Sequence, residues 1–130
     1  MKKKAYIPLL ILLIGSLFFN IFLYQSHNAK QDLFQQNLNQ RLLSELSFFS
    51  SKLEEGKVPN TSVLSSASRI DILSYYSDLE VNTSLAEIIA EKIDNNQPLK
   101  NVGKVQEKII DIQDDPDQEK ILELNNFLKK

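Results

Sequence analysis

The chain has 130 residues, with 15 Lys and Arg against 17 Asp and Glu, one His, and neither Cys nor Trp. Without cysteine there is no disulfide framework, no thiolate metal site and no Cys nucleophile. The near-neutral net charge of −2 averages over a strongly polarised chain, because the apolar residues crowd into one N-terminal segment.

Met1-Lys2-Lys3-Lys4 is followed from Ala5 to Tyr24 by 20 uncharged positions, of which 16 are hydrophobic. A basic end leading into an apolar run is the pattern of a secretory targeting segment. As a helix, the run spans roughly 30 Å, the thickness of a bilayer's hydrocarbon core. It exceeds the roughly 7 to 15 apolar residues of a cleavable signal. The pairs Tyr24/Ser26 and His27/Ala29 put bulky residues where a small one is needed for cleavage, and Ile14/Ser16 lies inside the apolar run. The expected segment is therefore an uncleaved signal anchor, with a secreted, cleaved form as the alternative. The three lysines place the N-terminus in the cytoplasm and the rest of the chain outside it. Tyr6 and Tyr24 suit the two interfaces, and Asn20 is the polar exception within the span. An amide there either hydrogen-bonds a neighbouring transmembrane helix or lies near the headgroups of a tilted one.

Beyond Tyr24, Phe34, Leu38, Leu42, Leu46, Phe49 and Leu53 recur at steps of 3 or 4, the spacing of one helix face. Gly56 is expected to end that helix. Asn60, Thr61 and Ser62 are N-cap residues for a second helix, with Val63, Ala67, Ile70 and Leu73 or Ser74 on one face and Leu64, Ile72, Tyr75, Tyr76 and Leu79 widening it. Ser84 and Glu87 form a capping box for a third helix, carrying Leu85, Ile88, Ile89 and Ile93 to a stop at Asn95-Asn96. Pro98 suits the first turn of a fourth, with Leu99, Val102, Ile109 and Ile112. Asp115-Pro116 with Gln118 starts a fifth, with Ile121, Leu124 and Leu128. No strand pattern competes. The expected fold is all-α: a single N-terminal transmembrane helix followed by a small extracytoplasmic antiparallel bundle of about five helices. Its parts are a basic tail (1–4), a transmembrane anchor (5–24), a juxtamembrane amphipathic helix (25–58) and a bundle packed on that helix (59–130).

Residues that would carry chemistry are sparse. His27 has no second His beside it and no carboxylate closer than Asp32. The run Asp111 to Glu119 resembles a calcium loop, but Pro116 stands at the position needing Gly and Leu122 at the position needing Glu. Its carboxylates suit a helix N-terminus instead. Ser65, Ser66 and Ser68 have no activating base, and Ser50-Ser51-Lys52 and Glu54-Glu55 are neighbours that point apart on a helix. An enzyme would need a pocket gathering Glu54, Glu87 or Asp111 with a polar partner. No metal or cofactor is expected. Residues 25–70 hold five basic and four acidic groups, a balance of +1; residues 71–128 hold five and thirteen, a balance of −8. That disfavours nucleic acid and suits a basic protein surface. Tyr75 and Tyr76 cannot both point into one core direction, which makes them the candidate partner contact.

The expected function is a non-enzymatic, membrane-anchored scaffold or accessory subunit of a bacterial envelope complex, with the lipid bilayer and an envelope protein as partners. The alternative is an extracytoplasmic ligand-binding sensor or an immunity-type inhibitor.

Overall fold

The computed structural model describes residues 6–130; the basic tail (1–4) and Ala5 lie outside the described residues. Five helices and no strand occur among them: α1 (Tyr6–Lys52), α2 (Thr61–Tyr76), α3 (Leu85–Asp94), α4 (Val102–Asp114) and α5 (Gln118–Leu128). The chain divides into two compact units, one ending at Gln36 and the other Asn37–Lys130.

In the first unit, the apolar part of α1 is long and apolar enough to cross a membrane, and none of that stretch is buried in the protein. Tyr6, Phe18, Phe22 and Tyr24 are each about two-thirds exposed. The Asn20 side-chain amide turns back on its own helix, donating to the Ser16 carbonyl at 3.0 Å.

The second unit is built on the periodic apolar stripe, which is buried over only part of its length. Leu42, Leu46, Phe49 and Leu53 are buried, Leu38 is half-buried and Phe34 is 60% exposed. Helix α1 ends at Lys52, before Gly56, which takes a left-handed φ of +73° in the following turn. A single hydrophobic core joins these residues to Val63, Ala67 and Ile70 of α2, Leu85 and Ile89 of α3, Ile109 and Ile112 of α4, and Ile121 and Leu124 of α5. Helix α2 packs on α3, α4 on α5, and α3 also meets α5. Burying a large apolar side chain contributes roughly 1.5–3 kcal/mol each.

Three of the expected helix starts are made differently. Asn60 does cap α2, its Oδ1 accepting from the Ser62 and Val63 N–H groups. Ser84, by contrast, makes no capping hydrogen bond with its side chain. The exposed N–H groups of α3 are met from other helices. Asp71 of α2 accepts from Leu85 and Ala86 N–H at 2.9 Å each and from the Thr83 hydroxyl at 2.5 Å. Asn125 of α5 accepts from Ser84 N–H at 2.9 Å. A carboxylate at a helix N-terminus satisfies orphan donors and complements the dipole, which the local capping box would also have done.

Helix α4 starts at Val102, four residues after Pro98. The intervening Leu99 is buried outside any helix, its carbonyl accepting from Gly56 N–H and its N–H donating to the Lys57 carbonyl. Its place as a core residue outside any helix is what delays α4. The new N-terminus is capped by Glu55, whose two carboxylate oxygens accept from Asn101 and Val102 N–H at 2.9 and 2.6 Å. Helix α5 starts at Gln118 with Asp117, rather than Asp115, as its cap.

Candidate functional site

Helix α2 divides its side chains between two faces. Val63, Ser66, Ala67, Ile70 and Ser74 are buried. On the other side, Ile72, Tyr75 and Tyr76 share one face at i, i+3 and i+4. They are 59%, 56% and 61% exposed, so both tyrosines lie outside the core. Their rings meet edge to face, with centroids 5.1 Å apart and planes at 89°. That is a favoured arrangement for the aromatic quadrupole.

The end of α2 that carries this pair is closely held. Ser77 N–H donates to the Leu73 carbonyl, the Ser77 hydroxyl to the Ser74 carbonyl, and Val81 N–H to the Ser74 carbonyl. Glu80 adopts a left-handed φ of +47° to complete the turn. Asn39 of α1 joins the turn reciprocally: its amide donates to Asp78 Oδ2 at 3.0 Å, and its Oδ1 accepts from Asp78 N–H at 3.3 Å. The tyrosines therefore project from a turn tied by local and long-range bonds.

Beside them runs a cavity of about 360 Å³ lined by Arg41, Ser44, Glu45, Arg69, Ile72 and Leu73. Its polar wall is ordered by Glu45, whose Oε1 accepts from the Ser66 hydroxyl at 2.6 Å and from Arg69 Nη2 at 2.9 Å. Arg69 Nη1 donates in turn to the Ser65 hydroxyl at 3.0 Å. Burial pushes the Glu45 carboxyl upward, but the hydrogen bonds from Arg69 and Ser66, together with the Arg69 charge, hold it below its ordinary value. The Glu45 hydrogen bond raises the Arg69 guanidinium correspondingly. Arg41 lines the same cavity and makes no ion pair among the described residues.

The other residues singled out in the sequence are dispersed. His27 is exposed on α1. Glu54 pairs with Lys57. Asp111 pairs with Lys120 at 3.3 Å, and Glu87 lines a separate cavity with Glu91, Lys92 and Lys129. The calcium-like run is organised by an internal cation: Lys120 Nζ donates to the side chains and carbonyls of both Asp111 and Asp115, at 3.0 to 3.5 Å. The Asp115 hydrogen bond raises the Lys120 ammonium above its ordinary value, against the opposing effect of burial. No group of three or more His, Cys, Asp or Glu side chains suited to a metal ion occurs among the described residues.

Sequence reasoning did not single out Glu45, Arg69, Asp71 or Asn125. Their roles come from partners on other helices, and only Asp71 and Asn125 carry a local hint, as poor helix formers inside α2 and α5. Comparison with family models, with curated proteins and with solved structures finds no match to this chain.

Proposed function

We propose that this chain is a membrane-anchored, non-enzymatic interaction protein, a scaffold or accessory subunit whose helices beyond the anchor form an extracytoplasmic bundle. The observation that carries this reading is the Ile72, Tyr75 and Tyr76 face, three large side chains each more than half exposed on a helix whose opposite face is buried. Tyrosine supplies contact area at low cost in conformational entropy and brings a hydroxyl that remains hydrogen-bonded at an interface rim. The exposed apolar N-terminal part of α1 supports anchoring, and the three lysines before it support a cytoplasmic N-terminus. The partner that fits is an envelope protein offering an apolar patch to the tyrosines, with a carboxylate beside it for Arg41.

The test is photo-crosslinking in native membranes from position 72 or 76, compared with exposed Glu107 on α4. One recurrent protein adduct from α2 and none from Glu107 is expected. Tyr75→Ala/Tyr76→Ala should abolish partner recovery while leaving membrane extraction and cooperative unfolding intact. Equal labelling from both helices, or undiminished recovery with the double variant, would refute the reading.

A further inference from the structure

A third cavity, of about 390 Å³, lies where the segment 95–101 meets the end of α5. Lys92, Lys100 and Lys130 line it together with Gln97 and Asn101, and its apolar lining includes Leu99 and Phe127. No Asp or Glu side chain lines it, although this unit has an excess of acidic residues and Lys92 and Gln97 also line the adjoining cavity that holds Glu87 and Glu91. Elsewhere in the unit, Lys57, Arg69, Lys108 and Lys120 each lie against a carboxylate, whereas Arg41, Lys52, Lys104 and Lys129 do not. Lys92 and Lys100 have no such partner among the described residues.

The helix dipole accounts for Lys92, which sits in the last turn of α3. It does not account for Lys100, which stands two residues before α4, at the end where positive charge is disfavoured. The nearby Glu55 carboxylate is committed to the Asn101 and Val102 N–H groups. Asn101 is held at a left-handed φ of +58°, and its side chain makes no capping bond. The cleft thus combines lysines without a carboxylate partner with amides that make no side-chain hydrogen bond among the described residues, in a volume suited to a small ligand.

We infer that this cleft is a binding site for a multivalent phosphate-type oxyanion, held by charge-assisted hydrogen bonds from Lys92 and Lys100 and oriented by the Gln97 and Asn101 amides. Tetrahedral oxyanions accept from several directions at once, which matches donors spread around a cavity. The site is separate from the tyrosine face, so either proposal can fail alone.

The full chain in detergent at low ionic strength is titrated with pyrophosphate and with inorganic phosphate by calorimetry. Citrate serves as a carboxylate comparator. Saturable pyrophosphate binding is expected, tighter than that of phosphate or citrate, and weakened about tenfold or more by Lys92→Gln/Lys100→Gln. Lys30→Gln/Lys52→Gln makes the same change in net charge away from the cleft and should leave it unaltered. Absence of saturable binding, citrate binding as tightly as pyrophosphate, or equal weakening by the two double variants would overturn the assignment. Amine footprinting of the unmodified chain is independent of whether the variants fold. Pyrophosphate should protect Lys92 and Lys100 from acylation, and protection spread evenly over the lysines would also overturn it.

Discussion

The start of α3 separates two accounts of the same helix. A capping box at Ser84 implies that Ser84→Ala costs about 1 kcal/mol. In the structure the Ser84 side chain makes no such bond, whereas Asp71, twelve residues upstream of Thr83, receives three. Removing the Asp71 carboxylate in Asp71→Ala leaves the Leu85 and Ala86 N–H groups and the buried Thr83 hydroxyl without their acceptor. Losing the cap costs roughly 0.5–2 kcal/mol, and leaving a buried polar group unpaired costs roughly 1–3 kcal/mol. The two overlap, so the expected loss is about 2–4 kcal/mol. For a unit of this size that is a fall in melting temperature on the order of 10 °C or more. Asp71→Asn retains one acceptor oxygen and loses the charge, and should fall between Asp71→Ala and the unaltered chain. Ser84→Ala should stay within about 0.5 kcal/mol. Urea unfolding of the full chain in detergent, followed by tyrosine fluorescence, measures all three. A Ser84→Ala loss equal to or larger than that of Asp71→Ala would refute the assignment of the cap to α2.

Phe49→Ala should cost about 3–5 kcal/mol because Phe49 is fully buried, whereas Phe34→Ala, on the same stripe but 60% exposed, should stay within about 0.5 kcal/mol by the same assay. Ser74 is buried and its hydroxyl finds no hydrogen-bond partner among the described residues. Ser74→Ala is therefore expected to raise stability, by about 0.5–1 kcal/mol including helix propensity, and a loss would show that the hydroxyl is satisfied. The Glu45 carboxyl is depressed in the folded chain by Arg69 and Ser66, so its stabilising contribution is present above its unfolded value of about 4.3 and is lost as pH falls through the lower folded value. The stability gap between the unaltered chain and Glu45→Gln should accordingly be constant near neutrality and narrow below about pH 4; a gap that widens on acidification would contradict the ordering of that site.

Helix type and approximate position follow from information carried within a few residues. The stripe from Leu42 to Leu53, the Asn60 cap and the apolar spacing of Ile121, Leu124 and Leu128 act through neighbours along one helix, and such signals survive without knowledge of the fold. The apolar run up to Tyr24 is legible for the same reason. What could not be read locally is who meets whom across the core. Asp71 displaces Ser84 as the cap because packing of α2 on α3 brings a carboxylate to the helix end, and Glu55 and Asn125 act over separations of 46 and 41 residues. Pro98 signalled a helix start, but Leu99 gains more from burial beside Gly56 and Lys57 than from a further helical turn, so α4 waits until Val102. For the Tyr75-Tyr76 pair, the angular argument within one helix leaves open whether one ring is partly exposed or both flank a wide buried face. The assembled core decided it: the inward face of α2 is filled by Ile70 and Ser74, and both rings are left to solvent. The gathering of Lys92, Lys100 and Lys130 around one cleft is likewise a property of the folded chain alone, because the acidic average of this region conceals it and only the meeting of segment 95–101 with the end of α5 brings those residues to one cavity.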